Sequence, residues 1–385
     1  MIPYGKQNID QSDVQEVLKV LQSDFITQGP AVNNFENAIT SYTGAQHAVA
    51  VTSATSALHL ACLALGVTTG DLVWTTPISF VASANCALYC GANIDFVDID
   101  SKTFNLCPKQ LAQKLRHAKD KIPKVLIVVH MAGQPCDMEA IYQLSQKYNF
   151  KIIEDAAHAI GATYAEKKVG NSPYSDITIF SFHPVKIITT GEGGAAVTNS
   201  VELANKLKLL RSHGITRDIN LMTKNDGPWY YEQLNLGYNY RMTDIQAALG
   251  ASQINRIDKF IEKRHQIAKF YDEAFANNDF IKTPYQNSIA TSAYHLYIIQ
   301  LQDNIAHKHQ EIFISLREAG LGVNLHYIPI YLQPYYRSLG FNAGYMPEAE
   351  DYYKRSISIP IFYDMTEKMC LKVVKTITEV INNYA

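Results

Sequence analysis

A lysine held next to a buried strand can do carbonyl chemistry, and residues 181–194, SFHPVKIITTGEGG, carry one. An apolar, β-prone run at 177–182 leads to Lys186 and a threonine pair. The chain then passes through a glycine cluster into a second apolar run at 195–197. Short turn-forming residues around a lysine can keep it partly desolvated, which lowers its pKa and frees the neutral amine to attack a carbonyl. Gly191, Gly193 and Gly194 would let the backbone approach a bound group closely. Taken alone, the motif also fits a strand edge with a solvated lysine.

Residues 151–161, KIIEDAAHAIG, end a strand-like run in two acids. Asp155 would then sit at the carboxyl edge of a sheet, where it could pair with a buried cation or cap the next helix. His158 would share that region or serve as a hydrogen-bonded structural residue. A strand at 48–51 runs directly into SATSALHLACLALG, so Ser53, Ala54, Thr55 and Ser56 fall where the first amides of a helix lack partners. Such a start holds phosphate through N–H groups and the helix dipole, or is closed off by Ser and Thr capping. An amine, a strand-end carboxylate, a phosphate-ready helix start, an aromatic ring and a glycine turn together match the needs of pyridoxal 5′-phosphate. Lys186 would bond its carbonyl carbon, Asp155 would keep its ring nitrogen protonated, and residues 53–56 with Ser181 would hold its phosphate.

The elements that must position these groups read as an α/β fold. Strand candidates at 48–51, 72–75, 94–97, 125–129, 151–153, 177–182 and 195–197 alternate with helical stretches, one of them beginning near Phe80. This pattern predicts a largely parallel sheet covered by helices on both faces. Ligands of such sheets sit beyond the carboxyl ends of the strands, where Thr55, Asp155 and residues 181–186 all fall. Before the sheet, a helix at 13–21 behind a Ser12 cap sets Val14, Val17, Leu18 and Leu21 at helical spacing, a loop carries Phe25, Thr27 and Gly29, and a second helix covers 33–42. One long amphipathic helix over 243–275, with Ile245, Leu249, Ile254, Ile257 and Ile261 on a common stripe, marks the domain boundary. The expected division is a large domain at 1–250 and a smaller C-terminal α+β domain at 251–385. The latter has a tyrosine-rich strand at 294–301, helices at 309–319, 348–354 and 367–381, and the segment NLHYIPIY.

A chain of 385 residues can bury two sizeable cores. Its 47% hydrophobic and 18% charged residues and net charge of −2 are ordinary for a globular protein and show no basic stripe for nucleic acid. The start, MIPYGKQNIDQSD, has no apolar core of a secretory leader, and no run of some eighteen apolar residues occurs, so a cytoplasmic protein without membrane contact is expected. The six cysteines show no CxxC pair or zinc spacing and read as reduced core fillers, with no metal site.

The stretches ITQGP, SATSALHLA, TPISFVASAN, EDAAHAIGATY, SDITIFSFHPVKIITTGEGG, RSHG, LGYNYRMTDIQAALG and HYIPIY occur in that order. Over nearly its full length the chain resembles the sugar aminotransferases of the DegT/DnrJ/EryC1/StrS family. That resemblance implies the fold type I (aspartate aminotransferase-like) architecture and pyridoxal 5′-phosphate as cofactor. It makes Lys186 the lysine that holds the cofactor covalently, Asp155 the partner of the pyridine nitrogen and Phe80 the stacking ring, with His158 beside the cofactor and Ala54, Thr55 and Ser181 near its phosphate. Asn239, in LGYNYR, would reach the cofactor phosphate of a neighbouring subunit, which implies a homodimer with shared sites. Tyr4, Asp24, Phe25, Ile26, Thr27, Ser53, Ser181, Asn239, His326, Tyr327, Ile328 and Pro329 match substrate-contacting positions.

The narrower likeness, carried by YGKQNIDQSDVQEVLKVLQSD, TTPISFVASAN and FSFHPVKIITTGEGG, is to the family's pseudaminic acid branch. It implies L-glutamate as amino donor and the C4 ketone of a UDP-linked 4-keto-6-deoxy sugar as acceptor; dTDP-, GDP- and other UDP-linked keto sugars are the alternatives. Relatives that eliminate water carry histidine in place of the lysine, so Lys186 argues against a dehydratase. A regulatory protein that binds the cofactor without turnover is disfavoured by the complete catalytic set and the missing basic stripe. No GxGxxG follows the first strands, which disfavours a nicotinamide dehydrogenase.

Overall fold

The computed structural model describes residues 1–119, 121–171 and 173–384. Seven short strands form the central sheet: β1 (His47–Val51), β2 (Leu72–Thr75), β3 (Asn93–Phe96), β4 (Val125–Val129), β5 (Lys151–Asp155), β6 (Ile177–Ser181) and β7 (Gly194–Thr198). Their order across the sheet is β1-β7-β6-β5-β4-β2-β3. The pairs among β2 to β6 are parallel, whereas β7 runs antiparallel to both β1 and β6.

Alternation along each strand sends successive side chains to opposite faces, and both faces are covered. Val49 and Val51 pack into one core with α3 (Ala54–Ala64) and α4 (Ala82–Tyr89), which follow β1 and β2 and come after α1 (Gln11–Leu21) and α2 (Pro30–Thr43) in the chain; Val125 and Ile127 join them there. Leu126 and Val128 point the other way, into a core with Leu111, Leu115, Met138 and Ile141 from the helices at Pro108–His117 and Met138–Tyr148. Ala48 and Ala50 meet a third core, built with Phe35 and Ile39 of the helix Pro30–Thr43. Each such aliphatic side chain, once fully buried, contributes on the order of 2 kcal/mol.

Three elements differ from expectation. The first helix spans Gln11–Leu21, and its cap is Asp10, whose carboxylate accepts from the amides of Ser12 and Asp13. It turns Asp13 inward and leaves Val14, Leu18 and Leu21 exposed. Asp13 is held there by Gln253 at 2.6 Å and by the guanidinium of Arg256. The long helix expected over 243–275 is two helices, Asp244–Ile254 and Ile257–Phe275. The break falls where Arg256 also reaches Asp10 at 2.6 Å and Asn8 at 2.8 Å, so the chain bends to serve a tertiary charge cluster that periodicity does not reveal. The strand expected from 294 begins only at Tyr297, because Tyr294 takes a left-handed φ of +46° that an extended strand excludes.

Beyond this break, strands Ile281–Lys282, Tyr297–Leu301 and Ser356–Ile359 form an antiparallel sheet against helices His309–Glu318 and Glu367–Asn382. The amino terminus belongs to this part of the molecule. Ile2–Pro3 pairs in parallel with Leu321–Gly322, and Ile2 is buried in the C-terminal core.

Candidate active site

A cavity of about 610 Å³ opens beyond the carboxyl ends of β1, β5 and β6. Among the expected site residues, Tyr4, Ser53, Ala54, Thr55, Phe80, Asp155, His158, Ser181, Lys186, His326 and Tyr327 line it. The crossover topology accounts for this convergence, since parallel strands deliver their carboxyl ends to one edge.

At the start of α3, Ser53 is the N-cap and forms a reciprocal capping box with Ser56. Capping therefore uses the Ser56 amide. Ala54 and Thr55 occupy the first two helical positions, where no intrahelical acceptor exists, and they face the cavity. The capping reading is thus borne out at Ser53 and Ser56, and it leaves the Ala54 and Thr55 amides without an intrahelical partner.

Asp155 is the last residue of β5 and is buried. One carboxylate oxygen accepts from the Ala157 amide at 3.1 Å, and the other accepts from the Ser83 hydroxyl at 2.6 Å. Lys186 lies in the turn after β6, with its amide bonded to the His183 carbonyl at 2.9 Å. Burial pushes its amine down to about 8, against the opposing pull of the Asp155 carboxylate. At that value the amine and its conjugate acid coexist near neutral pH.

Three buried histidines surround this amine. Burial, reinforced by the charge of Lys186, holds His158 well below the usual histidine range. His295, whose ring centroid lies 4.4 Å from that of His158, is depressed likewise by burial and by its cationic neighbours. His326 is brought down to about 3 by burial and by Lys186. Its Nδ1 pairs with the Ser358 hydroxyl at 2.8 Å. The lysine thus carries the local positive charge, and the imidazoles around it are neutral. Tyr327 pairs with His158 Nε2 at 3.2 Å, and burial raises its pKa, so the phenol keeps its proton.

The glycine cluster answers packing demands within the chain. A Cβ on Gly194 would lie 2.4 Å from the Ala54 nitrogen, and one on Gly193 would meet the Thr190 hydroxyl at 2.1 Å. Gly194 lets β7 pack backbone on backbone against the start of α3, whereas Gly193 leaves room for the side chains of Thr190 and Met242. Gly191 supplies a turn with φ of +81°.

Asp24, Phe25, Ile26, Thr27, Asn239, Ile328 and Pro329 do not line the cavity of their own chain. Phe25 and Ile26 are 56% and 52% exposed. Thr27 bridges to Thr243, and Asn239 bridges to Ser212. Asn239 thus lies in, and Thr27 is paired to, a strap at 239–244 that passes the end of β1, where the Thr52 amide bonds the Tyr240 carbonyl at 3.0 Å. Sequence reasoning missed Ser83 and His295, which lie in SFVASAN and SAYHLY. Neither carries a local signal of its role: one is a serine within a helix and the other a histidine before a strand.

A family model described as the DegT/DnrJ/EryC1/StrS aminotransferase family matches residues 7–378. The chain belongs to this family. Over 368 residues it is 42% identical to the UDP-4-amino-4,6-dideoxy-N-acetyl-beta-L-altrosamine transaminase of Campylobacter jejuni, covering 96% of this chain and 94% of that protein. Among solved structures, Helicobacter pylori PseC, an aminotransferase involved in the biosynthesis of pseudoaminic acid, superposes with a TM-score of 0.92 at 32% identity over all of both chains. The PLP form of the putative sugar aminotransferase Spr1654 from Streptococcus pneumoniae gives 0.90 at 29% identity, covering 100% of this chain and 99% of that one. The DegT/DnrJ/EryC1/StrS fold is the fold type I of PLP-dependent sugar aminotransferases, and this chain is such an enzyme, with pyridoxal 5′-phosphate as its cofactor. No helix among the described residues is long and apolar enough to cross a membrane.

Proposed function

We propose that this enzyme transfers the amino group of L-glutamate to the C4 ketone of a UDP-linked 4-keto-6-deoxy sugar. The acceptor we favour is UDP-2-acetamido-2,6-dideoxy-β-L-arabino-hexos-4-ulose, giving UDP-4-amino-4,6-dideoxy-N-acetyl-β-L-altrosamine in the cytoplasm. The observation that carries the chemistry is a desolvated Lys186 and a strand-end Asp155 opening on one cavity. The 42% identity to the Campylobacter jejuni enzyme supports the choice of sugar.

The residues present fit the cofactor. The amides of Ala54 and Thr55 at a helix N-terminus, with Ser181, would hold its phosphate. Phe80, 59% exposed at the cavity wall, has a free ring face to stack on its pyridine, with His158 beside it. Asp155, restrained by two hydrogen bonds, would keep the pyridine nitrogen protonated. When bound, the cofactor supplies a carbonyl that exchanges amino groups and a ring that accepts the electron pair of the substrate carbon.

Lys186 would hold the cofactor covalently, its neutral amine condensing with that carbonyl and releasing water. Once freed, the same amine would be the group that moves a proton at the donor's α-carbon and, in the reverse sense, at C4 of the sugar. The neutral histidines near Lys186 leave this amine as the group able to change charge at neutral pH. Tyr4, Ser53, Ser181, His326 and Tyr327 would contact substrate from the same chain.

Asp24, Phe25, Ile26, Thr27, Asn239, Ile328 and Pro329 would act across a homodimer, with Asn239 reaching the partner's cofactor phosphate. The exposed apolar side chains Val14, Leu18, Leu21, Phe25 and Ile26 offer a surface for that association. The boundary at 250/251 would fall inside the helix Asp244–Ile254; we divide the domains at the bend after it and assign Ile2–Pro3 to the small one.

The test is the visible absorbance of the cofactor-loaded protein. L-glutamate should bleach the band, and the UDP-linked 4-keto sugar should restore it. Bleaching without restoration would leave an aminotransferase of another acceptor, and a band indifferent to glutamate would remove the donor assignment.

A further inference from the structure

We infer that Ser83 and Ser79 form a positioning relay for Asp155. This rests on the proposal that Asp155 serves the cofactor's ring nitrogen. Ser83, in the first turn of α4, and Ser79, in the loop before it, are both buried. The Ser83 hydroxyl lies 2.6 Å from Asp155 Oδ2 and the Ser79 hydroxyl 2.7 Å from that of Ser83.

The direction of the relay follows from the inventory of protons. A carboxylate can only accept, so Ser83 spends its single proton on Asp155. Ser83 can then only accept from Ser79, whose proton completes the chain. Hydrogen bonds to an ionised group are the strong ones, and both donors here are shielded from competing water. The second oxygen of Asp155 is tied to the Ala157 amide, so the carboxylate is pinned at both ends. Its remaining lone pairs are thereby held in one orientation toward the cavity.

The relay also couples two faces of the cofactor site. Phe80 lies between the two serines in the chain, and the Ser83 amide bonds the Phe80 carbonyl at 3.2 Å. One loop, 79–83, therefore supplies the ring-stacking aromatic and the clamp on the ring-nitrogen partner. Ser83 does not line the cavity, so shortening it would loosen the carboxylate without removing a group from the cavity wall; Ser79 does line it.

Four variants test the relay: Ser83→Ala, Ser83→Thr, Ser79→Ala and Asp155→Asn, each loaded with pyridoxal 5′-phosphate. The readouts are the dissociation constant of the cofactor, the pH titration of its visible band, and kcat and KM for L-glutamate. Ser83→Ala should weaken cofactor binding and kcat by about tenfold, the size of a lost hydrogen bond to a charged group, with KM little changed. The band titration should shift in the same direction as in Asp155→Asn, but by less. Ser83→Thr keeps the hydroxyl and should recover most of the loss, while Ser79→Ala should give a smaller shift of the same sign. If Ser83→Ala lowers the melting temperature so far that it cannot be loaded, Ser79→Ala decides alone. A large effect of Asp155→Asn combined with silent Ser83→Ala and Ser79→Ala variants overturns the relay and leaves the role of Asp155 standing. A silent Asp155→Asn overturns both.

Discussion

The phenol of Tyr327 and Nε2 of His158 are hydrogen-bonded at 3.2 Å, which ties a segment of the C-terminal part to the turn that follows β5. The rings are near-parallel, 21° apart, with centroids 6.1 Å from each other. This bond helps fix the width of the cavity between the two parts of the molecule. Tyr327→Phe removes the bond and keeps the ring. Net loss of one hydrogen bond is worth about 1 kcal/mol, so kcat/KM for the donor half-reaction should fall by roughly fivefold with the melting temperature little changed. Unaltered kinetics would show that the bond does not contribute to the site.

Lys186 should make cofactor capture depend on pH. Its amine is depressed to about 8, so the nucleophilic neutral form grows as pH rises through that value and is scarce below pH 7. When cofactor-free protein is mixed with pyridoxal 5′-phosphate at pH 6 to 10, the visible band should form about tenfold faster per pH step on the acid side and level off above about 8. A rate that keeps climbing toward pH 10 would mean that the amine is not desolvated. Lys186→Ala should form no such covalent band and should show no turnover while remaining folded.

Glu154, next to Asp155, holds β5 in place from the other face. Buried at 1% exposure, it accepts from His130 at 2.7 Å, from Thr178 at 3.2 Å and from the hydroxyl of Ser175. The Nδ1 atom of His130 accepts the Cys136 amide at 3.1 Å, so its proton is on Nε2 and the ring that donates to Glu154 is neutral. Glu154→Ala would strand three donors and should cost about 3 kcal/mol in a denaturant melt. Burial alone would raise the Glu154 pKa, but its donors pull it below the ordinary value. The sign follows: a group depressed in the folded state stabilises above its unfolded pKa near 4.3, and this stability is lost as pH falls through the folded value. Acid unfolding should therefore shift to higher pH in Thr178→Val, which removes one of those donors.

Subunits carrying Lys186→Ala and subunits carrying Asn239→Ala should each be inactive or nearly so. Mixed and reassembled, they should regain activity, because one site in each hybrid dimer would combine an intact Lys186 with Asn239 of the partner subunit. Absence of complementation, with hybrid formation shown by native mass spectrometry, would refute shared sites.

The central sheet was legible because its signals are local. Short apolar runs such as 125–129 and 177–181 are buried on both faces in a parallel sheet, and the topology of such sheets brings Thr55, Asp155 and Lys186 to one edge. The convergence of the candidate site was legible for the same reason, as a lysine, an acid and a helix start each follow a strand. What the tertiary structure decided involves partners far apart in the chain. Asp13 turns inward because Arg256 is there to meet it, and the same arginine accompanies the bend in what periodicity reads as one helix. Gly194 is required by the approach of Ala54, and Ser83 finds Asp155 across 72 positions. Hydrophobic periodicity reports which face of a segment avoids water, whereas a hydrogen bond or charge pair is specified only when the fold brings its two halves within about 3 Å.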